Sequence, residues 1–116
     1  MEITISDFGN VGKKVTLTGK LDIVGAQKIE LPLATVAGTR GNVVIDMGGV
    51  DFIASIGIRQ LVMAAKTVAR GSGRLVLLGP TPFVTEVLET TGLLDLLPIV
   101  RSEEEAMSAL GRPAGA

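Results

Sequence analysis

The chain has 116 residues, a net charge of −1 and 47% hydrophobic residues, which suits a single domain with its own core. Its only aromatic residues are three phenylalanines, so the predicted core is aliphatic. The balanced charge argues against a nucleic-acid-binding surface, and no apolar run is long enough to cross a membrane. Cysteine and histidine are absent, which excludes disulfides, thiolate sites and the commonest general base. This composition is compatible with a cytoplasmic location.

The N-terminal part of the chain has the pattern of a β-hairpin. Apolar and polar residues alternate over residues 2–8 and again over 13–21, and Gly9, Asn10 and Gly12 lie between the two runs. This spacing predicts two antiparallel strands. The buried face of the second strand is expected to consist of Val15, Leu17, Gly19 and Leu21.

Residues 24–37 have helical spacing that is interrupted by Pro32. An interior proline removes a hydrogen bond and clashes with the preceding turn, at a cost of about 3 kcal/mol. We therefore expect either a kink or two short helical pieces.

The segment from Asn42 to Gly73 predicts a buried strand, a loop and an amphipathic helix. Val43–Ile45 is a continuous apolar run, typical of a strand that is buried on both faces. Gly48 and Gly49 predict a loop, interpreted as a tight turn, with a phosphate-binding loop as the alternative. The helix begins at Ser55 and has an apolar side made of Ile58, Leu61, Val62, Ala65, Val68 and Ala69.

Two kinds of polar residue near this loop are candidates for chemistry. Ser55 lies beside free backbone N–H groups and the positive end of the helix dipole, where a hydroxyl caps the helix or accepts a phosphate. Asp46 and Asp51 flank the glycines and are interpreted as turn and strand-end residues. A carboxylate pair that binds a cation is the alternative for these two residues.

The remaining sequence predicts two more strands and two more helices. Arg74–Leu78 is a buried strand, Thr81 caps a helix that opens with Pro82, and a short edge strand lies around Ile99. Ser102–Glu105 has the spacing of a capping box. The expected fold is α/β: a mixed sheet, with an N-terminal antiparallel hairpin and otherwise mostly parallel strands, and about four helices. Residues 1–111 are expected to form one domain and 112–116 a frayed tail.

Three segments resemble STAS domains, especially the small bacterial anti-sigma-factor antagonists. The segment GVDFIASIGI at 49–58 is similar to the family signature, in which Asp-Ser-Ser-Gly precedes a helix. Residues 19–22 and 82–97 resemble the end of the family's second strand and its third helix. Ala54 replaces the signature aspartate and Ile56 replaces its second serine, whereas Ser55 and Gly57 match.

The resemblance implies the same mixed-sheet fold and identifies Ser55 as the phosphorylation switch. A helical wheel places Ile56, Arg59 and Met63 away from the core and next to this serine. Two apolar residues and an arginine in such a place suggest the centre of a protein contact. The predicted partner-binding residues are Asp22, Asp46, Ile53, Ala54, Ile56, Gly57, Arg59 and Met63.

The resemblance also implies a regulatory binding module that has no enzymatic activity and no cofactor. In this family the unphosphorylated antagonist binds an anti-sigma factor, which is a serine kinase of the histidine-kinase-like ATPase fold, and a sigma factor is released to activate transcription. The kinase phosphorylates the serine, the complex dissociates, and a metal-dependent serine phosphatase resets the cycle. We therefore expect these two partners, no nucleic acid or membrane, and a monomer or weak dimer.

Two other functions stay open at this point. One is a STAS scaffold or ligand-sensing protein without a phosphorylation cycle, binding a small ligand at the same helix start. The other is a small enzyme, which is disfavoured because the chain lacks histidine, cysteine and tyrosine and has no convergent carboxylate pair.

Overall fold

The computed structural model describes residues 1–111, so the predicted tail at 112–116 lies outside the described residues. One sheet has the strand order β1-β2-β3-β4-β5, in which β1 and β2 are antiparallel and the other pairs are parallel. This arrangement confirms the predicted α/β fold with a mixed sheet. The elements are β1 (Glu2–Phe8), β2 (Gly12–Leu21), α1 (Ile23–Gly38), β3 (Asn42–Ile53), α2 (Ser55–Arg70), β4 (Leu75–Leu78), α3 (Pro82–Thr90), β5 (Ile99–Val100) and α4 (Glu103–Leu110).

The predicted hairpin is confirmed, and a charged pair faces solvent near its turn. Asp7 and Lys13 lie directly opposite each other in the ladder, with the Lys13 Nζ 2.5 Å from the Asp7 Oδ1. The hydrogen bond from Lys13, followed by its positive charge, lowers the pKa of the Asp7 carboxyl. Because both side chains are exposed, this pair contributes little to folding.

Two apolar clusters cover the two faces of the sheet. The larger one packs α1, α2 and α3 against β2, β3 and β4, and the smaller one packs α4 against the opposite face. Among residues 1–111 the buried hydrophobic side chains are aliphatic, as the composition predicted, with the exception of Phe8. The three helices on the larger face are therefore held by packing without aromatic side chains.

A single helix, α1, spans Pro32, so the alternative of two short helical pieces is excluded and the expected kink stays a prediction. Asp22 caps this helix, and its Oδ1 accepts a hydrogen bond from the Gly25 N–H at 2.8 Å. Ala26 and Ile29 before the proline and Leu33 after it are all buried on the same face. The packing of this continuous face outweighs the hydrogen bond that the proline removes.

The strand β3 is much longer than predicted, and the expected loop at Gly48 and Gly49 is wrong. Thr16 and Thr18 of β2 pair with Asp46 and Gly49, so β3 contains one extra residue there, and a second irregularity follows after Val50. A Cβ on Gly49 would lie 3.2 Å from the Leu17 carbonyl oxygen, which explains glycine at this bulge. The glycines therefore bend a strand, which excludes the alternative of a phosphate-binding loop.

The first residue of α2 is Ser55, and the residue in the N-cap position is Ala54. The prediction that Ser55 caps the helix is therefore wrong. Ala54 has the extended backbone that an N-cap requires, at φ −99° and ψ 167°, but its methyl group cannot accept a hydrogen bond. The buried side of α2 also shifts slightly from the prediction, because Ala64 is buried and Ala69 is exposed.

The predicted starts of the last two helices, α3 and α4, are confirmed. The Thr81 hydroxyl accepts from the Val84 N–H at 3.3 Å, and the Ser102 hydroxyl accepts from the Glu105 N–H at 3.0 Å. The Glu105 carboxylate accepts from the N–H of Arg101, one residue earlier than in a regular capping box. Each helix therefore begins where the sequence places its cap.

The first turn of α2 packs closely on β2 at Gly57, and we expect Gly57→Ala to destabilise the fold by about 1–3 kcal/mol. A Cβ there would lie 2.5 Å from the Leu21 Cγ and 3.0 Å from the Leu21 carbonyl oxygen. The matched control is Gly38→Ala at the end of α1, where a Cβ would meet no atom within 4 Å. Urea unfolding should leave the control within about 1 kcal/mol of the parent. Equal losses for both variants would contradict the close approach.

The vacant cap at Ala54 leads to a second prediction: Ala54→Asp should stabilise the protein by about 1 kcal/mol. The backbone already has N-cap geometry, so a carboxylate there can accept a hydrogen bond from the first turn and interact with the helix dipole. Ser55→Ala is the control and should change the free energy of unfolding by no more than about 0.5 kcal/mol. A loss of stability in Ser55→Ala, with no gain in Ala54→Asp, would place the cap at Ser55.

Candidate functional site

The ends of β2 and β3 bring the starts of α1 and α2 together. Leu21 and Ile53 pair at the last position of the parallel ladder, and the Ala54 N–H donates to the Leu21 carbonyl at 2.9 Å. Asp22 follows Leu21 directly and Ser55 follows Ile53 after one residue, so both leave neighbouring strands at the same end of the sheet. The register therefore brings two predicted site residues that are distant in sequence to the same end of the sheet.

Ser55 is exposed at the first position of α2. The Ile58 N–H donates to the Ala54 carbonyl at 3.1 Å, which is the first bond of the helix, so the N–H groups before it have no acceptor within the helix. Among residues 1–111, no side chain or backbone group is hydrogen-bonded to the Ser55 hydroxyl. An accessible hydroxyl at the positive end of a helix dipole can accept a phosphoryl group and hold the resulting charge.

Three predicted contact residues surround this serine on the surface. Ile56 is 39% exposed and Met63 is 57% exposed, and Arg59 is also exposed one helical turn after Ser55. The prediction that these side chains point away from the core is confirmed. Together they form an apolar surface with one positive charge, which we call the α2 patch: Ile56, Arg59 and Met63.

The structure places two of the predicted contact residues beneath the surface. Ile53 is 5% exposed and belongs to the core, so its assignment to a partner contact is wrong. Gly57 is also buried, because its backbone packs against Leu21. Both residues support the site by fixing the position of α2, and a partner cannot touch them in this conformation.

Asp46 lies away from the other predicted residues. Its carboxylate accepts from the Gly48 N–H at 3.0 Å and lies 3.8 Å from the Lys14 Nζ, which also contacts Glu103 of α4 at 3.0 Å. These contacts place Asp46 on the face of the sheet that α4 covers, with a role in the bulge of β3. Among residues 1–111 there is no group of three or more acidic side chains that could hold a metal ion.

Sequence reasoning missed an exposed aromatic pair near the same edge. The rings of Phe52 and Phe83 stack with centroids 6.4 Å apart, and their side chains are 40% and 50% exposed. Phe52 comes three residues before Ser55, and Phe83 is the second residue of α3. The chain has few aromatic residues, so two exposed ones in contact are notable, and their contact depends on the tertiary arrangement of β3 and α3.

A groove between α1 and α2 extends from the α2 patch. Its volume is about 510 Å³, and Gln60 ties its two walls together by donating from Nε2 to the Ala26 carbonyl at 2.7 Å. Within the described part of the chain, the buried Oε1 of Gln60 accepts no hydrogen bond. The groove is lined by Ala26, Gln27, Glu30, Leu33, Ala34, Ala37, Ile56, Arg59, Gln60, Met63, Ala64 and Thr67. The sequence had predicted only the α2 wall of this groove, through Ile56, Arg59 and Met63.

None of the helices in residues 1–111 combines the length and apolar character needed to span a bilayer. The start of α2 combines an exposed hydroxyl, an N-cap residue without a side-chain hydrogen bond, an apolar patch and a groove beside it.

Comparison with known proteins identifies the family. Residues 4–106 match the sequence model of the STAS domain. Over 94 residues the chain is 36% identical to a Bordetella bronchiseptica protein named "Putative anti-sigma factor antagonist BtrV", covering 80% of this chain and 81% of that protein.

Solved structures share the fold. SpoIIAA in its unphosphorylated form superposes with a TM-score of 0.77 at 20% identity, covering 96% of this chain and 98% of that one. The phosphorylated form of Bacillus SpoIIAA superposes with a TM-score of 0.71 at 21% identity, covering 93% and 98%. Because the match to the family spans most of the chain and a relative shares 36% of its residues, the protein belongs to the STAS domain family.

Proposed function

We propose that this protein is an anti-sigma-factor antagonist, a regulatory binding module without enzymatic activity that is switched by phosphorylation of Ser55. The observation that carries the proposal is the exposed serine at the first position of α2, bordered by the exposed side chains of Ile56 and Met63. The similarity to a relative named as such an antagonist supports the same role.

The switch works through charge and does not require a change of fold. Transfer of the γ-phosphoryl group from ATP to the Ser55 hydroxyl releases ADP and a proton and adds about −1.5 to −2 charge. The free N–H groups of α2 and the Arg59 guanidinium can balance this charge locally. A partner that covers the α2 patch would then have to bury a hydrated dianion, which is energetically costly.

The proposed cycle has two protein partners. The unphosphorylated form binds an anti-sigma factor kinase of the histidine-kinase-like ATPase fold, and the sequestered sigma factor is released to activate transcription. The kinase phosphorylates Ser55 and dissociates, and a metal-dependent serine phosphatase removes the phosphate. All of these steps take place in the cytoplasm.

A second candidate function is a STAS scaffold or ligand sensor without a phosphorylation cycle. The observation that favours it is the local chemistry beside Ser55: Ala54 and Ile56 provide neither a carboxylate nor a second hydroxyl. Binding of the kinase without phosphate incorporation would distinguish this function from the first.

The phosphorylation switch predicts that Ser55→Ala abolishes labelling of the protein by its anti-sigma factor kinase and ATP. Ser55→Asp should weaken kinase binding, because a fixed negative charge at this position imitates part of the phosphate. Intact-mass analysis measures the first effect and calorimetry the second. Ser72→Ala and Ser102→Ala are matched controls at exposed serines and should be labelled normally. Full labelling of Ser55→Ala would contradict the assignment.

The α2 patch predicts that Ile56→Ala, Arg59→Ala and Met63→Ala leave the melting temperature nearly unchanged. At least one of them should weaken kinase binding by about 1 kcal/mol or more, because exposed apolar and arginine side chains provide binding energy only in the complex. Lys66→Ala is the control, since Lys66 is exposed on α2 outside the patch. Normal binding by all three variants would place the contact elsewhere, and a folding loss of about 2 kcal/mol in Ile56→Ala would make Ile56 a core residue.

A further inference from the structure

We propose that a helix of the anti-sigma factor lies in the groove between α1 and α2, so that α1 forms half of the binding site. This inference rests on the proposed function, and it adds a contact surface on a helix that the switch residues do not include. It also explains how a phosphate at Ser55 would weaken the binding of a partner that lies along the whole groove.

The groove has walls as long as a helix of about three turns. The residues that line it recur every three or four positions on both walls, from Ala26 to Ala37 on α1 and from Ile56 to Thr67 on α2. At 1.5 Å per residue, each wall is roughly 16 Å long, or about three helical turns. Helices that bind in grooves use such a length, with apolar side chains spaced three or four residues apart.

The floor and rim of the groove differ in size and polarity. Four small or apolar residues of the floor are nearly inaccessible in the free protein: Ala26 at 1%, Leu33 at 3%, Ala37 at 2% and Ala64 at 5%. Ile56 and Met63 on the rim are exposed, so an entering helix would bury apolar surface that now faces water.

The charges on the rim favour a protein helix over an apolar ligand. Glu30 lies on the α1 wall and Arg59 on the α2 wall, and both are exposed. Within residues 1–111 neither of them forms an ion pair. A matching helix would carry a basic residue facing α1 and an acidic residue facing α2, on either side of an apolar stripe. An acyl chain would have no group to pair with Glu30.

The groove is continuous with the switch. Ile56 and Arg59 both line it and are the first exposed residues after Ser55. A phosphate on Ser55 would compete for the Arg59 guanidinium with the acidic residue of the entering helix. Arg59 would therefore pair with the partner in the complex and with the phosphate in the phosphorylated protein. A partner in the groove would therefore be released by phosphorylation at one end of it.

The test uses Ala34→Lys and its control Leu31→Lys, with binding to the purified anti-sigma factor measured by calorimetry. Ala34 is exposed on the α1 rim, and a lysine there lies four residues after Glu30, a spacing that favours the helix. Leu31 is 75% exposed on the same helix but does not line the groove. We expect Ala34→Lys to bind at least about tenfold more weakly while Leu31→Lys binds normally.

A second variant, Glu30→Lys, should weaken binding in the same direction without altering packing, because it reverses a charge on the exposed rim. Thermal melting of each variant checks that the loss of affinity is not a loss of folding. If Ala34→Lys and Glu30→Lys both bind normally while Ser55→Asp binds weakly, the groove inference is overturned and the proposed function stands.

Two further outcomes would also overturn the inference. If the unmodified protein binds no anti-sigma factor, the proposed function fails together with it. If light scattering shows a dimer that Ala34→Lys converts to a monomer, the occupant of the groove is a second copy of this chain.

Discussion

The close contact between the first turn of α2 and the end of β2 determines where the candidate site lies. The Ala54 N–H bonds to the Leu21 carbonyl, and Gly57 lets the helix backbone approach the Leu21 side chain without a clash. This contact fixes the position of the helix start relative to the sheet. Ser55 is therefore held next to the end of β2, and the exposed residues after it face in a direction set by the core.

The bulges in β3 make that contact possible. Without the two extra residues of β3, Leu21 would pair with Asp51, and Ala54 would lie three residues beyond the end of the ladder. Glycines tolerate the irregular backbone, and Gly49 also avoids a clash with the carbonyl of Leu17. Phe52 follows the second irregularity and stacks on Phe83. The irregular part of β3 therefore ends beside this exposed aromatic pair.

The proposed switch and the proposed groove use one helix in two ways. The start of α2 offers a hydroxyl and N–H groups that have no acceptor within the helix, which suit a phosphate. Further along, the helix pairs with α1 to form an elongated apolar surface with charges of opposite sign on its two rims. Arg59 belongs to both regions, so charge added at Ser55 acts on the groove through an arginine that lies one turn away. No movement of the backbone is needed for this coupling.

The sequence by itself determined the type of each element apart from the glycine stretch of β3, which it predicted as a loop, because hydrophobic period and capping residues are local properties. It placed the hairpin, the buried strands, the caps at Thr81 and Ser102 and the exposed side of α2. Only the tertiary structure decided that α1 stays whole across Pro32, because core packing outweighs a local penalty. It also decided that Ile53 is buried and that Asp46 faces α4, because bulges and strand register depend on the partner strand, which no local pattern records.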